Sequence, residues 1–300
     1  MKKIAFTIAL ILSLGLNSNV WAEGNKVNEV NGTNNTTNTT VRTIKTPRFA
    51  RPLVEKWIKE YAKTQPGVEF QIAKGQGNTD LNVVLEDKDF SQIVYFGETA
   101  VLPITARSSE AARLLEGKHL NNKKLKQLFF LNDDFDEDVK KKVVSTSLHK
   151  TFETITIYSG SNATSVASSF AHNFGEESSS FRGKRISGDD LFLNTALAKD
   201  PLGVSFNALP NIFDLESRHI KDNLSLVGLD VKKDLAESFS DNGTLDDLLT
   251  ALENSKVSEV AIEKVGISVN NADDEVNKFL DWVLAQGTKY NHEFGLLNLK

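Results

Sequence analysis

Two stretches of this sequence combine a strand-like run, a loop of small polar residues and a helix-like run, a combination that can cradle an anion. The first covers residues 72–78 and has Gly75-Gln76-Gly77-Asn78 as its loop. The second covers residues 158–164, reading Tyr158-Ser159-Gly160-Ser161-Asn162-Ala163-Thr164. Small residues at such a junction let the backbone approach a ligand, and the first helical turn offers unpaired N–H groups and the positive end of the helix dipole. An oxyanion fits there with little further help. Ser159, Ser161 and Thr164 add hydroxyl donors and Asn162 an amide. The same residues also make an ordinary helix N-cap or turn, so neither loop is specific alone. A third segment, Thr46-Pro47-Arg48-Phe49, precedes a helical pattern. Arg48 offers a bidentate donor pair to an oxyanion, or else is a solvated arginine beside a linker.

Other chemistries find less support. There is no cysteine, which removes disulfides, thiolate metal sites and thiol nucleophiles. His119, His149, His172, His219 and His292 are dispersed without metal-binding spacing. Ser161 follows Ser159-Gly160 but lacks the second glycine of a nucleophile elbow. The acidic run at residues 133–138 lacks the glycine and terminal glutamate of a calcium loop and reads as a solvated turn. No catalytic residue, metal or cofactor is therefore expected.

The elements that must position these loops alternate along the chain. Residues 52–64 are amphipathic, with Leu53, Trp57, Ile58 and Tyr61 on one helical face. Residues 68–72 alternate as a strand. Residues 93–105 are apolar and β-rich, interrupted by Gly97 and Pro103. A helix is expected at 122–130, a strand at 151–158, a helix at 166–174 and a short strand at 204–207. A helix at 245–253, a β-rich run at 260–269 and a long helix at 274–290 follow. Alternation of this kind predicts an α/β protein with mostly parallel strands and helices on both sheet faces.

Lys2 and Lys3 lead an apolar run, residues 4–16, which ends before Val20-Trp21-Ala22. The run is short for a membrane span and is read as an export signal cleaved after Ala22. Residues 23–43 are rich in Asn and Thr and are expected to be a disordered spacer. The whole chain has 35 Lys and Arg against 40 Asp and Glu, a formal charge of −5, and loss of Lys2 and Lys3 with the signal takes this to about −7. Such a balance argues against nucleic-acid binding.

The order of these pieces resembles the phosphate-binding proteins of bacterial phosphate uptake transporters along nearly the whole mature chain. Phe49-Ala50-Arg51-Pro52-Leu53-Val54-Glu55-Lys56-Trp57 resembles their first helix. Pro66-Gly67-Val68-Glu69-Phe70, with the Gly75 loop, resembles their second strand and binding loop. Residues 123–130 resemble the helix after the crossing into their second lobe. Ser159 to Thr164 takes the place of their Arg-x-x-Gly-Ser-Gly-Thr loop. Phe279-Leu280-Asp281-Trp282-Val283 through Gly287, with Phe294-Gly295-Leu296-Leu297-Asn298-Leu299, resembles their closing helix and tail. The chain departs from that pattern at several positions. The family arginine falls on Tyr158, the Ser-Gly pair on Asn162-Ala163, and a first-loop threonine on Arg48, which leaves Arg48 to supply the positive charge. Asp80, Asp87 and Glu98 are the carboxylates near the family's proton-accepting aspartate.

The resemblance implies a two-lobed periplasmic-binding-protein fold, each lobe a mixed, mostly parallel sheet flanked by helices. Lobe I would be residues 44–105 plus 260–300 and lobe II residues 106–259. The implied ligand residues are Arg48, Phe49, Gly75, Gln76, Gly77, Asn78, Tyr158, Ser159, Gly160, Ser161, Asn162, Ala163 and Thr164. The implied function is capture of phosphate or a related small oxyanion, in the periplasm, by a monomer that serves an inner-membrane ABC permease. Two alternatives stand beside it: an interaction or adhesion protein on the same fold with a degenerate site, and a phosphoester hydrolase.

Overall fold

A computed structural model describes residues 41–75, 77–85, 93–130, 147–161 and 165–300. The export signal, most of the spacer, the acidic run at 133–138, Gln76, Asp87 and Asn162 to Thr164 lie outside the described residues. The spacer was expected to reach Thr43, but the chain enters the sheet at Val41.

The strands are β1 (Val41–Lys45), β2 (Glu69–Ile72), β3 (Leu81–Leu85), β4 (Ile93–Ala106), β5 (Thr156–Gly160), β6 (Lys184–Ile186), β7 (Gly203–Ala208), β8 (Leu224–Leu226) and β9 (Ala261–Val269). The helices are α1 (Arg51–Thr64), α2 (Glu110–Leu115), α3 (Asn122–Phe129), α4 (Ser147–Thr154), α5 (Ser165–Asn173), α6 (Leu191–Leu197), α7 (Leu209–Ile212), α8 (Leu245–Asn254) and α9 (Asp274–Trp282). The strands form one mixed sheet in the order β2-β1-β3-β9-β4-β7-β5-β6, with β8 also on β4. The pairs β1/β2, β1/β3, β5/β6 and β5/β7 are parallel, and every pair made by β4 or β9 is antiparallel.

The long strand β4 carries the sheet from one half to the other. Its first part, from Ile93 to Val101, pairs with β9, and from Val101 onward it pairs with β7. Pro103 sits at the changeover. On that side β9 has ended at the Val101–Ala261 pair and β8 begins at Ile104–Leu226. A proline in a central strand lacks a ladder donor and is tolerated at such a local edge. At Gly97 the register with β9 shifts. A Cβ there would lie 2.9 Å from both the Asn291 amide and the Leu297 carbonyl, so glycine lets the C-terminal tail lie against β4.

The helices bury the faces their periodicity marks. α1 buries Leu53, Val54, Trp57 and Tyr61, with Pro52 in its first turn, where a missing N–H costs nothing. Tyr61 meets Phe70, Phe279 and Trp282 edge-on, which ties α1 to β2 and α9. A second cluster stacks Phe170 on Phe206 at 4.3 Å, with Phe129 and Phe181 against them, and joins α3 and α5 to β7.

Three elements differ from expectation. The Gly75 loop leads into strand β3, not into a helix, so no helical first turn follows it. Residues 151–154, expected as strand, close helix α4, and the strand begins only at Thr156. Ile155 and Ile157 alternate with Thr154 and Thr156 at a period of two, but that pattern does not reach back to Phe152, and the Thr151 and Thr154 hydroxyls bond back to the Ser147 and Lys150 carbonyls in helical fashion. The long closing helix stops at Trp282, then widens into a π turn at Val283–Gly287 and tightens to a 3-10 turn at Thr288–Tyr290. The cause is packing. The Trp57 indole N–H donates to the Gly287 carbonyl at 2.9 Å, and the ring fills the space a Cβ would take.

Candidate functional site

The segments that follow β1, β6 and β7 meet at one cavity of about 270 Å³. From the β1 side come Arg48 and Phe49, then Arg51, Pro52 and Glu55 of the first turns of α1. Leu191 follows β6, Pro210 and Asn211 follow β7, and Lys221 completes the lining. Ligands of open α/β sheets bind beyond the carboxyl ends of strands, and this cavity has that position.

A saturated amide network fixes the floor. The Asn207 amide nitrogen donates to the Asp190 carbonyl at 2.9 Å and to Asn194 Oδ1 at 3.0 Å. Its Oδ1 accepts from the Ala208 N–H and from Asn211 Nδ2 at 2.8 Å. Asn194 Nδ2 and Lys221 Nζ both donate to the Asn211 carbonyl at 2.9 Å. Asn207 and Asn211 are buried, and the Asn207 amide, with both donors and its oxygen paired, holds one arrangement. The start of α6 is therefore locked to α7.

Three cations line the cavity against one carboxylate. Arg48 is half-exposed, and its Nε lies 4.0 Å from Asp189 Oδ2. The other Asp189 oxygen accepts the Leu191 N–H at 2.9 Å and caps the start of α6. Arg51 Nε donates to Glu55 Oε1 at 2.8 Å, one helical turn away. Burial lowers the pKa of Lys221, and the nearby Asp214 carboxylate opposes that shift only in part. This arrangement can hold an anion by charge-assisted hydrogen bonds.

Of the residues expected from sequence, Arg48 and Phe49 line this cavity. Gly75, Gly77 and Asn78 are exposed in the β2–β3 loop and do not line it. Gly75 has a φ of +89°, which suits a glycine turn. Tyr158, where the resemblance puts an arginine, donates its phenol to Asp200 Oδ2 at 2.9 Å and accepts from Lys184 at 3.3 Å. Ser159 and Gly160 are buried on β5, and the Ser161 N–H donates to the Ile186 carbonyl. None of the four lines the cavity.

Asp80 is occupied elsewhere. Burial raises its pKa, but the Thr43 N–H, the Asn271 amide and the Thr43 hydroxyl together outweigh this, and its carboxyl ends below the ordinary value. It ties β1 to the start of β3 and to the end of β9. Glu98 lies on β4, where its backbone pairs with Leu297. Among the described residues no cluster of three or more His, Asp or Glu is arranged to hold a metal ion.

Sequence reasoning missed Arg51, Glu55, Asp189, Asn211 and Lys221. The Arg51–Glu55 spacing of four was a legible helix-surface pair. Ser187-Gly188-Asp189-Asp190 before an apolar run was a legible helix start. Lys221 gave no local signal.

No protein-family model matches this sequence, and no curated protein matches it. Among solved structures, the chain is similar to a protein from Clostridium perfringens described as a phosphate ABC transporter substrate-binding protein, with phosphate bound. The identity is 12% and the TM-score 0.59 over 87% of this chain and all of that one. It is also similar to an ABC-type phosphate transport receptor from Vibrio cholerae, at 10% identity and a TM-score of 0.53 over 86% of this chain and all of that one. A regulatory domain from Vibrio vulnificus matches at 9% identity and a TM-score of 0.49, over 86% of this chain and 99% of that one. At these identities the likeness is one of fold. The chain has the mixed α/β fold of the periplasmic binding proteins.

Proposed function

We propose that this protein is an exported solute-binding protein that captures phosphate or a related small oxyanion between two lobes and presents it to an inner-membrane ABC permease. The observation that carries the reading is the convergence of Arg48, Arg51 and Lys221 at one cavity beyond the carboxyl ends of the strands. Lobe I would be residues 44–105 with 260–300, lobe II residues 106–259, and β4 a hinge between them. Ligand that touches both lobes would select the closed form. Arg48, on the α1 side, and Asn211 and Lys221, on the far side, would contribute from the two lobes. Among the described residues no helix is long and apolar enough to cross a membrane, and the signal over residues 1–22 would direct the chain to the periplasm. A binding role, not catalysis, agrees with a cavity whose polar lining is Arg48, Arg51, Lys221, Glu55 and Asn211.

Titration calorimetry with inorganic phosphate tests this on wild type and Arg48→Ala. A charge-assisted hydrogen bond is worth about 1.5–3 kcal/mol, so the variant is expected to bind roughly 10- to 100-fold more weakly. Equal affinity would remove Arg48 from the site. No binding of phosphate, sulfate or an organic phosphate by wild type would overturn the reading and favour an interaction protein on this fold.

A further inference from the structure

The lining of this cavity sets Arg48, Arg51 and Lys221 against a single carboxylate, Glu55. Glu55 Oε1 already accepts from Arg51 Nε at 2.8 Å, so the lining keeps an excess of positive charge. The cations also keep unspent donors. Among the described residues, Arg48 has only the 4.0 Å approach of its Nε to Asp189. Arg51 gives Glu55 its Nε and keeps both terminal nitrogens of the guanidinium. Lys221 spends one ammonium donor on the Asn211 carbonyl and keeps the rest. Burial lowers the pKa of Lys221, and an anion brought against it would restore the charge stabilisation that burial removes. The space exceeds one oxyanion. The cavity encloses about 270 Å³. Liquid water takes about 30 Å³ per molecule, so the four oxygens of phosphate fill on the order of 100 Å³ and the seven of a diphosphate on the order of 200 Å³.

We propose that the site takes a ligand with two linked oxyanion groups, of the diphosphate kind. One group lies on Arg48 and Lys221, and the second lies on the terminal nitrogens of Arg51. The proposal rests on the oxyanion reading above and narrows its ligand class. A single tetrahedral anion held between Arg48 and Lys221 would leave Arg51, and much of the volume, to water. A second oxyanion group fills that volume and meets the planar donor pair of a guanidinium, which suits it in charge and shape. Arg48 and Arg51 have side-chain exposures of 50% and 46%. A charged ligand therefore reaches both without unpacking the core.

The test is calorimetry with inorganic phosphate, ethyl phosphate and pyrophosphate, at one pH and one ionic strength and without divalent cations. Pyrophosphate is expected to bind about tenfold or more tightly than inorganic phosphate, the scale of one added charge-assisted contact. Ethyl phosphate, which adds bulk without a second anionic group, is expected to gain about twofold or less by the same reasoning. The variant Arg51→Gln is expected to cut the pyrophosphate preference to about twofold or less, with circular dichroism confirming its fold. If pyrophosphate binds no more tightly than inorganic phosphate, the diphosphate class is overturned and the oxyanion reading stands. An equal gain with ethyl phosphate would show that bulk, not a second charge, is what the cavity accepts, and overturns it too. A preference that survives in Arg51→Gln overturns the placement of the second group. Failure of all three probes overturns both readings.

Discussion

Arg182 shows how much one side chain can hold together. Its guanidinium donates to the carbonyls of Leu128, Phe152 and Ile155. These carbonyls stand at the end of α3 and at and just beyond the end of α4, where helices leave acceptors unpaired and where a cation suits the dipole. Burial lowers its pKa to about 10, with the charge of Glu153 opposing that shift, so it stays cationic at neutral pH. Arg182→Met would strand the Leu128 and Ile155 carbonyls and leave the Phe152 carbonyl with only the Ile155 N–H. The expected loss is about 3 kcal/mol or more, read as a shift of the urea midpoint. Arg182→Lys should restore only part of it, because an ammonium lacks the planar fork that reaches three carbonyls. A methionine variant within about 1 kcal/mol of wild type, below the cost of even one unmade buried bond, would contradict this role.

At the scale of elements, Asp80 joins β1, β3 and the end of β9. Its carboxylate accepts from the Thr43 N–H at 2.7 Å, the Thr43 hydroxyl at 3.0 Å and the Asn271 amide at 3.1 Å. Its backbone carbonyl accepts from the Asn270 and Asn271 N–H groups. With its folded pKa below the ordinary 3.8, the carboxylate stabilises the fold fully above that value. The contribution fades as pH falls through the lower folded value. Urea midpoints are expected to favour wild type over Asp80→Asn at about pH 7, and the gap should narrow at about pH 2–3. A gap unchanged across that range would rule the carboxylate charge out. Much of this level was legible in the sequence. The apolar faces of α1, α3 and α8, the β-rich run of β9 and the α/β alternation all follow from local periodicity. Residues 151–154 were misread because Phe152 and Ile155 flank a helix end held by Arg182, distant in sequence. Of the ligand residues expected from sequence, the candidate cavity includes only Arg48 and Phe49. Asp189, Asn211 and Lys221 reach them through sheet topology and amide pairing, which no local pattern encodes.

At the scale of the molecule, the C-terminal tail links α8 and the Arg218 turn to β4. Arg218 grips the Asp246 carboxylate with Nε at 3.1 Å and Nη2 at 2.6 Å. The same guanidinium donates to the Glu293 carbonyl at 2.9 Å and the His292 carbonyl at 2.8 Å. Glu253 of α8 accepts from His292 Nε2 at 2.7 Å and from the Asn298 N–H at 2.9 Å. On the other side of the tail, Asn291 Nδ2 donates to the Phe96 carbonyl, and Leu297 pairs with Glu98 of β4. Arg218 itself sits at φ +65°, a conformation that costs a non-glycine residue roughly 1–2 kcal/mol. The grip must therefore outweigh its own backbone strain. Arg218→Ala removes the bonds and keeps the strain, while Arg218→Gly removes the bonds and relieves it. The alanine variant is expected to melt about 5 °C or more below wild type, since 1 kcal/mol shifts a chain of this size by about 2–4 °C. The glycine variant should recover about 2–4 °C of that loss by scanning calorimetry. Equal melting of the two variants would show that the left-handed backbone carries no strain. An alanine variant as stable as wild type would show that the tail is held without the Arg218 grip, by its contacts with Glu253 and β4 and its buried Leu296 and Leu297.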